Sequence, residues 1–441
     1  MCALRLRPGP LDREIARLAL PALGALAAEP LYVLADTAVV GHLGTPELGG
    51  LAVAGTVLTT AFWIFNFLAY GTTAAVARSI GAGRELAAAR QAVQSLWLAL
   101  GLGAALAVLG LLGAPGAVRL MGASDAVRPH ALLYLRVSAL GAPAVLVALA
   151  GVGYLRGRLD TARPLRIALV ANVVNLAGEV TLIYGLGMGL GASALTTVVA
   201  QTGAAVVFAR LILRDARTAG VRLRPDPAAL RSLLAVGRDL FVRTGSLQAA
   251  LALSTAVASR MGTAQVAAHQ VAFQLWLFLA LLLDALAIAA QPLIGRLLGA
   301  GRADEARAVS ERLLAWGVLA GVGLGVAVAA LRPVLPGIFT DDSRVEALTG
   351  DVLWIVALLQ PLNAVVFVLD GILIGAHDLR YLARAMLVSL AVFVPLALAV
   401  RGLDLSLLAL WGALGVFMAV RLATMTARFV GAGWMVVGAR D

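Results

Sequence analysis

Apolar runs of about 20 residues recur from one end of this chain to the other, each closed by a short stretch holding charge, Gly or Pro. A helix of that length rises about 30 Å, the thickness of a bilayer's hydrocarbon core. The pattern predicts an all-α polytopic membrane protein. Twelve spans are expected, at roughly 15–41, 50–78, 92–113, 131–154, 164–185, 190–213, 233–259, 267–295, 310–331, 349–374, 382–401 and 405–430.

The pattern also repeats. A shift of 218 residues lays the first half over the second without a gap through five spans. "DTAVVGHLGT" (36–45) falls on "STAVASRMGT" (254–263), and "IGAGR" (80–84) on "LGAGR" (298–302). Pro143, Gly153, Gly157 and Asp160 fall on Pro361, Gly371, Gly375 and Asp378. Six spans per half is an even number, so the halves share an orientation and should relate by an axis along the membrane normal. That is the parallel-repeat plan of many secondary transporters, with a cavity between two bundles. The expected division is an N-lobe over 1–218, with the start of a cytoplasmic linker, and a C-lobe over 219–441.

Composition agrees: 61% of the 441 residues are hydrophobic and 13% charged, against about 25% charged in soluble domains. The net charge of +11 raises the question of a nucleic-acid partner. All 35 basic residues are arginine, and they cluster in alternate loops: Arg78, Arg84 and Arg90; Arg156, Arg158, Arg163 and Arg166; Arg210 to Arg231; Arg296 to Arg312; Arg380 and Arg384; Arg421, Arg428 and Arg440. Positive residues favour the cytoplasmic side, so both termini and the linker are expected there, with no nucleic acid bound. The N-terminal run reads as a retained span and not a cleaved signal. Cys2 is the single cysteine, which excludes an intrachain disulfide. The histidines (His42, His130, His269, His377) lack ligand spacing, so no metal is expected.

Candidate chemistry lies where the duplication fails. Asp36 maps onto Ser254, and Asn175 and Glu179 onto Phe393 and Ala397. Conversely Asp284 maps onto Asn66 and Asp370 onto Val152. An Asp at a helix centre costs about 2.5–3.5 kcal/mol on insertion scales, so such residues face cavities and do chemical work. Burial brings a carboxyl toward the range where it exchanges protons. Asn175 and Glu179, four residues apart, share a helical face. Glu29, nearly two turns before Asp36, is expected on its face. Pro21 and Pro30 make the first span a candidate hinge. Glu179 lies nearer a span end, where an interfacial role competes, and Asp284 and Asp370 have structural readings as well.

"EPLYVLADTAVVGHLGTPELGGLAVAG" (29–55) resembles the first span and loop of the multidrug and toxic compound extrusion (MATE) family, in its DinF-like branch. The runs at 237–271, 281–302 and 367–387 are similar to that branch's second half. The resemblance implies a twelve-helix, two-lobe antiporter that exports amphipathic or cationic small molecules in exchange for H⁺ or Na⁺, with H⁺ the expected ion and no other cofactor. It implies that Asp36 couples the ion, with Asn175, Glu179 and Thr197 as partners and Pro21 as the first-span proline. Glu179 stands where the family has Asp. A monomer in a bacterial plasma membrane is expected.

Three other readings compete. A lipid-linked oligosaccharide flippase of the same superfamily should present a cationic cavity, whereas the arginines here read as loop residues. An intramembrane enzyme would need a Ser/His or Asp/Asp pair at motif spacing, or H-E-x-x-H, and none occurs. A channel would share the duplication.

Overall fold

A computed structural model describes residues 9–438; Cys2, Arg5, Arg7 and Arg440 lie outside the described residues. In chain order the helices are α1 (Pro10–Gly41), α2 (Thr45–Trp63), α3 (Phe67–Gly81), α4 (Glu85–Leu120), α5 (Arg128–Leu140), α6 (Ala142–Gly157), α7 (Ala162–Val180), α8 (Leu190–Thr218), α9 (Pro227–Ser259), α10 (Thr263–Gly299), α11 (Ala303–Leu331), α12 (Ser343–Gly375), α13 (Leu379–Gly402) and α14 (Leu407–Val430). The protein is all-helical, as the apolar runs predict. Among the described residues 11 helices are long and apolar enough to cross a membrane, or 12 if one bent pair counts as a span.

That pair is α5 and α6, bent by 50° where one fourth span is expected at 131–154. The hydropathy is continuous through the break, so composition does not reveal it. Gly141 sits two residues before Pro143, and its repeat counterpart is Leu359. There α12 runs unbroken through Pro361. Proline alone therefore does not break the helix; the neighbouring glycine, with no side chain to hold the turn, makes the difference. α1 likewise continues as helix through both Pro21 and Pro30.

By packing, the chain forms two compact units. One is built from Gly24–Gly237, the other from residues up to Leu23 together with Arg238–Gly438. Each carries the same internal joints. The "GAGR" motifs close α3 and α10 alike: Arg84 N–H donates to the Ser79 carbonyl and Arg302 N–H to Leu297, both at 2.9 Å. Gly83 (φ 71°) and Gly301 (φ 78°) take the left-handed turn that this closure needs.

The helices of each unit meet at matched glycines. A Cβ on Gly153 would fall 2.5 Å from the Ala69 carbonyl oxygen, and one on Gly371 would overlap the Ala287 carbonyl. Gly103 abuts Pro143, and Gly321 abuts Pro361. Gly157 lies against Val76 and the Thr73 carbonyl, Gly375 against the Gln291 carbonyl. Every one of these pairs is related by the 218-residue shift.

In the first unit the segment joining α8 to α9 is tied to α4. Trp97 Nε1 donates to the Leu223 carbonyl at 2.8 Å, Gln94 Nε2 to the Arg224 carbonyl at 3.0 Å, and Gln94 Oε1 accepts from Asp226 N–H at 2.8 Å. Arg90 completes the contact through an ion pair with Asp226.

Candidate functional site

Within the unit of residues 24–237, α1, α7 and α8 bring the first-half candidates together. Asp36 of α1 is 5% exposed and Glu179 of α7 is fully buried. Their carboxyl groups are close enough to interact. Ser193 of α8 donates its hydroxyl to Asp36 Oδ1 at 2.9 Å. Neither oxygen of Glu179 receives a protein donor, and Asn175 Oδ1, also buried, receives none. Two ionised carboxylates have only lone pairs to offer each other and cannot hydrogen-bond directly.

A neutral network holds this pair. Asn175 Nδ2 donates to Tyr32 OH at 2.5 Å and to Thr197 Oγ1 at 3.0 Å. Tyr32 OH and Thr197 Oγ1 lie 3.3 Å apart, and Thr197 Oγ1 donates to the Ser193 carbonyl at 2.9 Å. Tyr134 of α5, 6% exposed, closes the cluster beside Ser193 and Thr197. Gly178, the residue before Glu179, lets α7 approach Thr196 of α8; a Cβ there would come within 3.1 Å of the Thr196 methyl.

Asp36, Asn175, Glu179 and Thr197 thus fall in one cluster. Ser193, Tyr32 and Tyr134 join it without having been singled out in the sequence. Tyr32 is four residues before Asp36, and Ser193 four before Thr197, so helical spacing carried a signal for both. Glu29 does not join them: it is exposed on α1. Pro30 is exposed and Pro21 half-buried.

Among its described residues the other unit has no equivalent cluster. Ser254, Phe393 and Ala397, the counterparts of Asp36, Asn175 and Glu179, are all fully buried, with Phe393 edge-on to Phe417 at 5.7 Å between ring centroids. Its described buried acids are Asp12, 7% exposed and paired with Arg312, and Asp370, 2% exposed and held between two arginines. Arg243 of α9 donates to Asp370 twice, at 3.2 and 2.7 Å, and Arg421 of α14 once, at 2.6 Å. Arg421 is itself 2% exposed. This corrects the grouping of Arg421 with the loop arginines: it lies inside α14, within the expected span 405–430, and is buried against Asp370. It also corrects the expectation that charges within the spans are acidic alone. Asp284, on α10, is half-buried.

Among the described residues no group of three or more His, Cys, Asp or Glu side chains is placed to hold a metal ion.

The chain resembles known proteins in sequence and in fold. The MatE family model matches residues 21–181 and 246–400. Protein DETOXIFICATION 44, chloroplastic, from Arabidopsis thaliana is 34% identical over 428 residues, covering 94% of this chain and 81% of that protein. DNA damage-inducible protein F from Escherichia coli is 32% identical, covering 94% of this chain and 91% of its own. Among solved structures, the Vibrio cholerae MATE transporter VcmN in its bent form superposes with a TM-score of 0.87 at 18% identity, covering 96% of this chain and 97% of that one.

Proposed function

The chain belongs to the MatE family, whose members are multi-span membrane transporters and not enzymes, and from that premise we propose that it is an antiporter coupling H⁺ uptake at Asp36 and Glu179 to export of amphipathic or cationic small molecules. The observation that carries this reading is the interacting carboxyl pair, with both Glu179 oxygens lacking a donor. A proton entering from outside satisfies the pair; its loss to the cytoplasm restores a negative site that recruits the next cation. The arginine distribution supports both termini in the cytoplasm, and the duplicated plan supports alternating access across a plasma membrane. Pro21 and Pro30 supply the bending points in α1.

A second reading has Na⁺ as the coupling ion. It is favoured by the number of oxygens without donors: both from Glu179 and one from Asn175, beside Asp36. Na⁺ binds through several oxygens at once, whereas a proton satisfies one pair.

The experiment is efflux of a fluorescent organic cation from proteoliposomes under an imposed pH gradient or an imposed Na⁺ gradient. The wild type should respond to the pH gradient, and Asp36→Asn should lose that response. Full gradient-driven efflux by Asp36→Asn would overturn the coupling scheme, and a response to Na⁺ alone would select the second reading.

A further inference from the structure

α1 and α7 are tied together on both sides of the carboxyl pair. On one side lie the Asn175–Tyr32 hydrogen bond and, one turn further, that from Asn172 Nδ2 to the Ala28 carbonyl at 3.4 Å; Tyr32 stands four residues before Asp36, and Asn175 four before Glu179. On the other side Tyr184 donates its hydroxyl to the Val39 carbonyl at 3.0 Å. Val39 follows Asp36 by three residues, and Tyr184 follows Glu179 by five. We infer that Tyr184 is a positioning residue for the coupling site: its bond to Val39 holds α1 and α7 together beyond the pair, so that the two carboxyls stay in contact. The inference rests on the reading of Asp36 and Glu179 as the coupling pair.

The backbone is built for this contact. Immediately after α7 the chain makes a π turn over Thr181–Gly185, with Leu186 N–H donating to the Thr181 carbonyl five residues back at 3.2 Å. In a regular α-helix Tyr184 would stand about 140° around the axis from Glu179, off its face. A π turn takes an extra residue and rotates Tyr184 back toward α1; such turns concentrate at functional sites. Val39 lies in the last turn of α1, where carbonyls have no helical N–H ahead of them. His42 N–H reaches it only at 3.4 Å, which leaves the oxygen open to Tyr184.

The Tyr184 side chain is 54% exposed, so its bond opens without unpacking a core. The Asn175–Tyr32 bond, by contrast, lies inside the cluster. The two ties therefore differ: an inner one fixed by packing, and an outer one held by a single hydroxyl. The titratable groups that face the carboxyl pair are Tyr32 from α1 and Tyr134 from α5. Relaxing the outer tie lets the carboxylates separate, and the repulsion that favours holding a proton falls with distance.

Tyr184→Phe deletes the hydroxyl alone. In proteoliposomes, efflux of a fluorescent organic cation measured across a pH series should persist, with its midpoint displaced to more acid pH by about half a unit or more. An unmoved midpoint in Tyr184→Phe overturns the inference, whatever the change in melting temperature: Tyr184 would then only close the end of α1. Asp36→Asn separates the two claims. Lost coupling there with an unmoved Tyr184→Phe midpoint overturns the positioning role alone, whereas full coupling in Asp36→Asn overturns the coupling reading beneath it.

Discussion

Replacing Asp370 by Ala should cost the protein stability and leave its ion coupling intact. The carboxylate is 2% exposed and accepts three charge-assisted hydrogen bonds, two from Arg243 and one from Arg421. Arg243 keeps a side-chain exposure of 12% and has a route to water. Arg421, at 2%, has none, and its Nε already lacks an acceptor. The loss therefore falls mainly on Arg421, stranding a buried guanidinium at a cost of about 3–5 kcal/mol. For a unit of this size each kcal/mol moves a melting temperature by about 2–4 °C, so the midpoint in detergent should fall by at least about 6 °C. A double variant, Asp370→Leu with Arg421→Met, removes both charges and should recover most of that loss. Coupling should survive, because two arginines already serve as fixed counter-charges to Asp370 and leave no vacancy for an ion. Transport per folded molecule should keep the wild-type pH midpoint. Asp370→Ala melting with the wild type would refute the stranded-charge argument. A variant of wild-type stability that had lost its response to the pH gradient would place Asp370 in the coupling machinery instead.

Two further outcomes follow from the packing and the linker. Gly153→Ala and Gly371→Ala each push a methyl into a facing backbone carbonyl, so each should destabilise by about 1–3 kcal/mol, by similar amounts, read as melting temperature and folded yield. Asp226, outside the helices, has its carboxyl lowered below the ordinary range by the Arg90 guanidinium first and then by backbone N–H donors such as Ala228. A lowered group contributes fully above its ordinary value and loses that contribution as the pH falls through the lowered one. Hydrogen exchange over 219–226 should therefore rise only at acid pH in the wild type, and already at neutral pH in Asp226→Asn.

The spans were legible because twenty apolar residues have few other fates, and the duplication because its glycine and proline joints survive in both halves. Asp36 and Glu179 were legible because ionisable side chains are rare in hydrocarbon. Three of their neutral partners were not. Ser193, Tyr32 and Tyr134 are residue types that membrane helices use freely, and only their distance along a helix from Asp36 and Thr197 marked two of them. Arg421 was misread because a positive charge near the end of an apolar run looks like a loop anchor; the partner that buries it, Asp370, lies 51 residues away. The bend at Gly141 was hidden because hydropathy measures what a segment is made of and not whether its turns continue. Glu29 shows what angular arithmetic leaves out: residues nearly two turns apart share a helical face, yet Glu29 is an exposed residue and Asp36 a buried one.

The matched glycine contacts imply a division of labour that shapes how such a protein can evolve. Gly103, Gly153 and Gly157, with the residues they press against, lie in α3 to α6, and their counterparts in α10 to α12. Asp36, Asn175, Glu179, Ser193 and Thr197 sit elsewhere, on α1, α7 and α8. Drift in the chemistry-bearing helices leaves the backbone joints untouched, which is how the two copies came to differ so fully in their acids. A chimera that replaced 69–157 with 287–375 would keep every one of these joints. An engineer seeking a new cargo or ion has the same licence at the polar positions of α1, α7 and α8, with Gly178 and Phe208 kept for packing, while the glycine-bearing blocks form a chassis to be inherited unchanged.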